Sequence, residues 1–344
     1  MHSFGIYTLA NDAVYDQLVA LLNSIEANVS SEIPVCVIPY DDRIEKVRQE
    51  LKDRDNVTLY ANQSAIERWE AFAREVWFHY PKQARGRITS RSWLYQGHSI
   101  RKMSAFEGDF QKFVFYDADT LAMKPLDDVV EKLDRYDFVF DDWEHAKSRP
   151  VATLNLSEIE ASGKYEEAEV RAKMHCSSFF GSKRGIFAPD ELAAIKKRLL
   201  EEGEVSWINL WWSDNCLFNY LTLVCDRPLF NYTLSPKGEE ITGNCADSDP
   251  FVNIDNKLYN QQGLKPIYRI HYMNFSAKEF ARLSQGEAVD IPHRDVFLHY
   301  RFLKEPDRKP QELNPPGMLE KSRRWQEKAV QKVKRTLLAI QSSF

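Results

Sequence analysis

Short apolar strand patterns alternate with amphipathic helical patterns over the first 142 residues, and this order most constrains the fold. The strand patterns lie at residues 4–9, 35–39, 57–60, 113–116 and 138–140, and the helical patterns at 14–28, 42–53, 65–80 and 93–108. An early β-α-β-α-β order predicts a mostly parallel sheet with helices on both faces and right-handed crossovers. We therefore expect an α/β protein.

The apolar run at residues 113–116 ends on two carboxylates, Asp117 and Asp119. Side chains two positions apart on a strand point the same way, and open α/β sheets place their ligands at the carboxyl ends of strands. Two carboxylates aimed together repel each other unless a cation lies between them. The pair predicts a Mg²⁺ or Mn²⁺ site shared with substrate phosphates, and the alternative is a turn that merely caps the next element.

Composition narrows the class of protein. With 43% hydrophobic and 28% charged residues among 344, the chain has the content of an ordinary globular protein. Its formal net charge of −5 disfavours nucleic acid as a partner, because binding to phosphates needs a basic surface. Aromatic residues make up 12% of the chain, which is a high share. Most are expected in the core, although carbohydrate-binding clefts also use aromatic side chains as platforms.

The cysteines and the amino terminus bear on localisation. Five cysteines are an odd number without metal-site spacing, which is typical of reduced thiols that serve in packing. The chain enters a strand pattern at once, without a charged leader, and no window resembles a membrane-spanning helix. These features predict a cytoplasmic protein that is at most peripheral at a membrane. The cysteines are Cys36, Cys176, Cys216, Cys225 and Cys245.

The second half of the chain is less regular. Residues 142–165 lose the strand rhythm, as expected of an excursion over a cleft, and residues 207–222 form an aromatic-rich segment predicted to be buried. Further elements are a strand near 178–181, a helix at 189–202 and a late strand at 267–275 that returns to the cleft. We expect one domain over residues 1–305, with a nucleotide-binding half (1–142) and an acceptor half (143–305).

A proline-punctuated linker begins at residue 306, and residues 321–344 then carry seven Lys or Arg against one Glu. Apolar residues at helical spacing make this tail a basic amphipathic helix. Such a helix either lies on an anionic membrane surface or docks on the body of the protein.

Four segments together resemble the glycogenin-like, family 8 retaining glycosyltransferases, which have the GT-A fold. They are residues 8–15, 100–103, 113–121 and 270–272. The resemblance implies a Rossmann-like, mixed but mostly parallel sheet flanked by helices, here with a C-terminal helical extension. It also implies a UDP-sugar as donor and Mn²⁺ or Mg²⁺ as cofactor.

The resemblance assigns roles to the first strand and the turn that follows it. In the family this turn wraps the uracil and ribose of the donor. A strand-end turn offers backbone groups to a base edge while an aromatic ring stacks on its face. The residues that would bind the nucleoside here are Thr8, Leu9, Ala10, Asn11 and Tyr15.

The resemblance also assigns the residues that would bind the metal ion and the diphosphate. Asp117 and Asp119 would coordinate the cation, and His271 would complete its shell from a distant strand. Ala118 would abut the ribose by its backbone, and Lys102 would approach the donor phosphates. A cation there neutralises the charge that develops on the leaving diphosphate.

Two further segments match the family more loosely. Ser177 and Ser178 stand where the family contacts the donor sugar, and Asp214 and Asn215 stand where it has a catalytic carboxylate and amide. Asp214 is alternatively an ordinary helix cap. After His271 the family's Gly and Pro-Trp are absent, and its lysine appears one place late as Lys278.

The resemblance implies a hexosyltransferase that transfers a sugar to an acceptor hydroxyl with retention. The implied route is a front-face attack in which Asp214 or nearby amides stabilise the transition state. A first alternative is a non-catalytic sugar-nucleotide sensor with the same fold. A second is a haloacid-dehalogenase-type phosphatase, because an apolar strand before Asp117 and an acidic motif at residues 138–142 also occur there. The interval of about 20 residues is short for that fold's crossovers.

Overall fold

The computed structural model describes residues 2–79, 98–147, 154–208, 214–234, 244–261 and 263–315. The strands in these ranges are β1 (His2–Ala10), β2 (Val35–Pro39), β3 (Val57–Leu59), β4 (Phe110–Asp117), β5 (Thr120–Ala122), β6 (Phe138–Phe140), β7 (Phe179–Lys183), β8 (Leu229–Asn231), β9 (Phe251–Ile254), β10 (Lys257–Asn260) and β11 (Arg269–His271). The α-helices are α1 (Tyr15–Asn28), α2 (Glu45–Leu51), α3 (Gln63–His79), α4 (Asp127–Lys132), α5 (Leu156–Ala161), α6 (Glu167–Lys173), α7 (Pro189–Leu200), α8 (Asp214–Val224), α9 (Ala277–Ser284) and α10 (Arg294–Arg301). Short 3₁₀ helices cover Asp12–Val14, His98–Glu107, Glu144–Ala146, Glu204–Trp207, Tyr232–Leu234 and Pro306–Arg308.

The main sheet has seven strands in the order β3-β2-β1-β4-β7-β6-β8. Strands β3, β2, β1 and β4 run parallel, β7 is antiparallel to both of its neighbours, and β8 is parallel to β6. The register sets Leu9 of β1 opposite Asp117 of β4. The predicted mixed, mostly parallel sheet flanked by helices is confirmed.

The strand β4 shows how the core is divided between the two faces of the sheet. Phe113 and Phe115 pack with side chains of α3 and α8, whereas Val114 and Tyr116 pack with α1 and α2. This alternation follows from the two-residue period of a strand. Burial of each such side chain contributes about 1.5 to 3 kcal/mol, so β4 is anchored on both faces before it delivers Asp117 to the sheet edge.

Several predicted boundaries are correct and others are shifted. Strands β2 and β6 have the predicted bounds. The helix predicted over 42–53 is shorter, because the Asp12 carboxylate accepts hydrogen bonds from the N–H groups of Glu45 and Val47 and fixes where α2 begins. The predicted helix at 93–108 is a 3₁₀ helix over His98–Glu107, and residues 93–97 lie outside the described chain.

The late strand is where the sequence prediction was wrong in extent. Strand β11 covers three residues rather than the predicted nine, and it pairs antiparallel with β5 instead of joining the main sheet. The chain leaves the strand after His271 because a capping box between Ser276 and Glu279 starts helix α9.

The cysteines are free thiols, and Cys36 and Cys216 are buried. None of the described helices is both long and apolar enough to cross a membrane. The predicted basic helix at 321–344, the helical extension as a whole beyond residue 315, and residues 148–153 of the predicted excursion lie outside the described chain.

Candidate active site

The carboxyl end of β4 carries the predicted pair of carboxylates, and two elements hold it in place. The Thr120 hydroxyl donates to the carbonyl of Asp117 at 2.7 Å, which tightens the turn between β4 and β5. Strand β11 pairs with β5 so that His271 lies opposite Thr120, and the Tyr272 N–H donates to the carbonyl of Asp119 at 3.0 Å. A histidine about 150 positions away in sequence is thereby brought to the acidic turn.

The donor atoms of Asp117, Asp119 and His271 lie within 4.8 Å of one another, and His271 Nε2 is 3.5 Å from Asp119 Oδ1. Metal–ligand distances of about 2.0 to 2.6 Å allow two ligand atoms on one cation to be up to about 5 Å apart. Two carboxylates and one imidazole therefore fit a divalent cation such as Mn²⁺ or Mg²⁺.

The charges of these three groups are interdependent. Burial raises the pKa of Asp117, and the nearby carboxylate of Asp119 adds to that effect. Burial opposes ionisation of Asp119, but the His271 imidazolium outweighs it and lowers the carboxyl pKa. Burial likewise disfavours protonation of His271, yet Asp119 prevails and raises the histidine pKa to about 10. A proton on His271 thus balances Asp119, and a bound cation would replace it.

Lys102 forms a second ionic group beside the first. Its ammonium lies 2.8 Å from Asp117 Oδ1 and 2.7 Å from Asp214 Oδ2, and the side chain is only 3% exposed. The Ser177 hydroxyl also donates to Asp214 Oδ2, at 2.7 Å. Burial lowers the pKa of Lys102, but the two carboxylates more than offset it and keep the amine charged. Lys102 therefore joins the metal-site carboxylate to Asp214.

Asp214 is the first residue of α8, and its carboxylate contacts Lys102 and Ser177. Burial would raise its pKa, but Lys102 and the hydrogen bonds lower it, so Asp214 is anionic at neutral pH. Asn215 behaves differently, since its side-chain carbonyl accepts from Asn219 Nδ2 at 3.2 Å within the same helix. Among the described residues, Asp214 contacts the ionic cluster, and the side chain of Asn215 contacts Asn219.

The residues predicted to bind the nucleoside are divided between two environments. Thr8, Leu9 and Ala10 are buried in β1, and Ala118 is buried in the acidic turn. Asn11 Oδ1 accepts from the Ala13 N–H at 3.0 Å, and Asn11 Nδ2 donates to Asp41 at 2.9 Å, which caps the 3₁₀ helix after β1.

Tyr15 is the first residue of α1, and its side chain has different partners. Its hydroxyl donates to Glu50 Oε2 at 2.7 Å, and its ring faces the guanidinium of Arg301 at 5.5 Å. The ring lines a surface pocket of about 470 Å³ between α1, α2, α9 and α10. The described contacts of Tyr15 are thus with this pocket and not with the ionic cluster.

Sequence reasoning missed Arg269. It is fully buried on β11, two residues before His271, and its guanidinium donates to the carbonyl of Asp141 at 3.2 Å and to Ser178 Oγ at 3.3 Å. Ser178 also accepts the Asp117 N–H through its carbonyl, at 2.9 Å. Arg269 therefore joins the ends of β6, β7 and β11 behind the site. The available signal was an arginine in a short strand pattern, two residues before the predicted ligand His271.

These elements define a GT-A-type, Rossmann-like fold with an acidic and basic cluster at the carboxyl edge of its sheet. No protein-family model and no curated protein sequence matches the chain. Among solved structures, WbbM, described as a bifunctional glycosyltransferase in its apo form, is 11% identical with a TM-score of 0.51; the match covers 90% of this chain and 52% of that one. The chain thus spans about half the length of WbbM, and the likeness establishes the fold alone.

Two other solved structures are less similar. Mouse xyloside xylosyltransferase 1 is 7% identical with a TM-score of 0.45, covering 64% of this chain and 81% of that one. The galactosyltransferase LgtC, solved with donor and acceptor sugar analogues, is 11% identical with a TM-score of 0.43, covering 80% and 94%. Membership of the glycogenin-like family stays a prediction. The phosphatase alternative loses its basis, because the fold is of the GT-A type.

Proposed function

We propose that the protein is a metal-dependent glycosyltransferase that moves a hexose from a nucleotide sugar, in the first place a UDP-sugar, to an acceptor hydroxyl with retention at the anomeric carbon. The observation that supports the proposal is the cluster of charged residues at the carboxyl edge of the main sheet. There the donor atoms of Asp117, Asp119 and His271 lie within 4.8 Å, and the Lys102 ammonium is 2.8 Å from Asp117.

Asp117, Asp119 and His271 would hold Mn²⁺ or Mg²⁺. When bound, the ion would act as a Lewis acid and offset the negative charge that develops on the leaving diphosphate. Lys102 adds a positive charge from the protein side, and its rigid ion pairs with Asp117 and Asp214 keep that charge beside the metal ligands. The arrangement favours an anionic leaving group such as a nucleoside diphosphate.

Asp214 acts at the sugar end of the site. It is anionic at neutral pH because Lys102 lowers its pKa against the effect of burial. A fixed carboxylate stabilises the positive charge that develops at the anomeric carbon, and the departing phosphate helps to deprotonate the acceptor hydroxyl in a front-face attack. Ser177, which donates to Asp214 at 2.7 Å, positions this carboxylate.

For the nucleoside we assign the backbone of residues 8–10 and of Ala118. The Asn11 amide is already engaged with Asp41 and Ala13, so it acts by shaping the turn. Tyr15 would reach a uracil ring only after its hydroxyl leaves Glu50. Stacking of Tyr15 on the base therefore requires that its hydrogen bond with Glu50 be broken.

The test is isothermal titration of UDP-glucose, UDP-galactose and GDP-mannose, with and without Mn²⁺, on wild type, Asp119→Asn and the surface control Asp134→Asn. Asp134 is 67% exposed and pairs with Lys112 far from the cluster. We expect one UDP-sugar to bind only with Mn²⁺, in wild type and the control but not in Asp119→Asn. Slow release of UDP without acceptor would identify an enzyme, and binding without release a sensor. Absence of nucleotide binding would refute the donor site.

A further inference from the structure

The turn after β6 presents a half-exposed tryptophan, Trp143, at the same edge of the sheet. A hydrogen bond places this turn beside the cluster of Asp117, Asp119 and His271. Arg269, two residues before His271 on β11, donates to the carbonyl of Asp141 at 3.2 Å, so the turn begins next to the strand that carries His271.

Residues 244–249 adjoin His271 as well. The Cys245 N–H donates to Asp249 Oδ2 at 2.7 Å, and Cys245 forms an isolated bridge with His271. The Asn274 side chain bonds the Asp247 carboxylate in the same segment. The turn after β6 and residues 244–249 therefore both adjoin the strand that carries His271.

The backbone under Trp143 is held rigidly. The Asp142 carbonyl accepts from Asn231 Nδ2 at 2.8 Å and from the Thr233 hydroxyl at 2.6 Å, while the Asp142 N–H donates to Asn231 Oδ1 at 3.2 Å. The Asp142 carboxylate accepts the Glu144 N–H at 2.7 Å. Asp142, Asn231 and Thr233 are all buried, so this network sets the turn before any ligand arrives.

Trp143 itself retains unused binding capacity. Its ring lies 5.7 Å from the His145 ring at an interplanar angle of 36°, and His145 Nε2 is held 2.8 Å from the Thr233 hydroxyl. Within the described residues, no hydrogen bond involves the indole N–H of Trp143. A turn fixed by buried hydrogen bonds that carries a partly exposed indole, whose N–H has no partner among the described residues, is a preorganised contact surface rather than core packing.

We infer, on the basis of the proposed glycosyltransferase function, that Trp143 with Asp142 and His145 forms the acceptor subsite and that the acceptor is a neutral saccharide. A sugar ring has an apolar face of C–H groups that can stack on the indole. Its hydroxyls can accept from the indole N–H and donate to a carboxylate or imidazole. Apolar surface with a few placed polar groups is the usual make-up of a small-molecule site.

Charge disfavours anionic acceptors. Among the described residues, Asp142 and Glu144 lie on the turn, and Asp247 and Asp249 lie in the segment 244–249. Lys147, at the end of the turn, is already paired with Glu144 at 2.5 Å. Burial lowers the pKa of His145, so its imidazole is neutral at pH 7. A phosphorylated or uronic acid acceptor would add negative charge beside Asp142, Asp247 and Asp249.

The test compares lactose, maltose and cellobiose with charged counterparts, 3′-sialyllactose, maltobionic acid and cellobiuronic acid. Transfer is measured with Mn²⁺ and the donor found by titration, and binding is measured separately by saturation-transfer NMR. The variants are Trp143→Ala and Trp143→Phe, with Phe78→Ala as control, since Phe78 is 59% exposed on α3. We expect at least one neutral disaccharide to bind and accept sugar, with an acceptor KM at least tenfold lower than that of its charged counterpart.

We expect Trp143→Ala to raise that acceptor KM about tenfold with a smaller change in kcat, Trp143→Phe to lie in between, and Phe78→Ala to match wild type. Equal use of charged and neutral acceptors, or a wild-type KM in Trp143→Ala, would overturn the inference. So would failure of all three neutral disaccharides to bind. A wild type that releases no UDP refutes the proposed enzyme instead, and the NMR comparison then still decides whether Trp143 binds neutral saccharides.

Discussion

Lys102 is the side chain on which the charge balance of the cluster depends. It is buried between Asp117 and Asp214, and both contacts are shorter than 3 Å. Removal of one partner of a buried ion pair leaves an uncompensated charge, which costs about 3 to 5 kcal/mol. Surface pairs are worth much less, about 0 to 1 kcal/mol.

We therefore expect Lys102→Met to lower the free energy of unfolding at pH 7 by about 3 to 5 kcal/mol. The control is Lys112→Met, which breaks the pair with the exposed Asp134 and is expected to cost less than about 1 kcal/mol. Urea denaturation of the metal-free proteins measures both. Equal losses in the two variants would show that the buried cluster has no special role in stability.

His271, as a proposed metal ligand, predicts that metal binding depends on pH. Its pKa is about 10 in the folded protein, against an ordinary value of 6.5, because Asp119 outweighs the effect of burial. The stabilisation from the protonated imidazole is therefore full below pH 6.5 and is lost as pH rises toward 10. A metal must displace that proton, so affinity for Mn²⁺ should rise with pH across this window.

We expect Mn²⁺ binding at pH 7.5 to release protons, and His271→Asn to release about one proton fewer. Titration calorimetry in two buffers with different ionisation enthalpies counts the protons. The control is His79→Gln, because His79 is exposed at the end of α3 and should leave the count unchanged. An unchanged count in His271→Asn would mean that His271 is not a ligand.

At the scale of elements, the joint between the 3₁₀ helix His98–Glu107 and β4 sets the distance from Lys102 to Asp117. Gly108 occupies this joint, and a Cβ there would lie 1.9 Å from the hydroxyl oxygen of Tyr7. Tyr7 is buried in β1 and its hydroxyl accepts the Phe110 N–H at 3.3 Å. No space therefore remains for a side chain at the joint.

We expect Gly108→Ala to destabilise the fold by about 1 to 3 kcal/mol, as overpacking does. Tyr7→Phe removes the nearest atom, so the double variant should be less destabilised than the sum of the single variants. The ring carbon that remains would lie 2.6 Å from the new Cβ, which makes the rescue partial. A double-mutant cycle by urea denaturation measures the coupling, and strict additivity would contradict the close contact.

At the scale of the whole molecule, one sheet joins strands from both parts of the chain. Strand β4, which ends at Asp117, pairs with β7, and β7 pairs with β6 in turn. The predicted nucleotide-binding and acceptor halves thus share a hydrogen-bonded sheet. A ligand bound at Asp117 should stabilise both halves together.

We expect Mn²⁺ and UDP together to raise the Tm of the single main transition more than either does alone. Ligand at 100 times its Kd stabilises the folded state by about 2.7 kcal/mol. Differential scanning calorimetry measures the shift, and Asp119→Asn should abolish the joint effect. Two separate transitions, of which only one moves, would contradict the shared sheet.

The local parts of this structure could be predicted from sequence. Strands β2 and β6 were located to the residue, because short apolar runs between polar segments have a clear period and clear ends. The acidic turn after β4 was found for the same reason. The start of α2 was not, since a side chain from another segment, Asp12, caps that end of the helix.

Contacts between distant segments decided which of the predicted site residues lie together. Asp117 was proposed from its strand-end pattern, and Lys102 and Asp214 were proposed from the resemblance. The structure adds that one ammonium joins the two carboxylates. Tyr15 was expected at the nucleobase, but its described partners are Glu50 and Arg301. A helix pattern shows which face a residue is on, and not which neighbouring element covers that face.

By itself, the sequence determined the strand and helix alternation, the mostly parallel sheet and the paired carboxylates, because each depends on side-chain periodicity within a few residues. Only the tertiary structure decided that the side chain of His271 lies beside Asp117 and Asp119, that Lys102 is shared by two carboxylates, and that Arg269 lies buried behind them. These contacts join residues far apart in the chain. Their geometry comes from the pairing of β11 with β5 and from packing against the sheet, which no local pattern encodes.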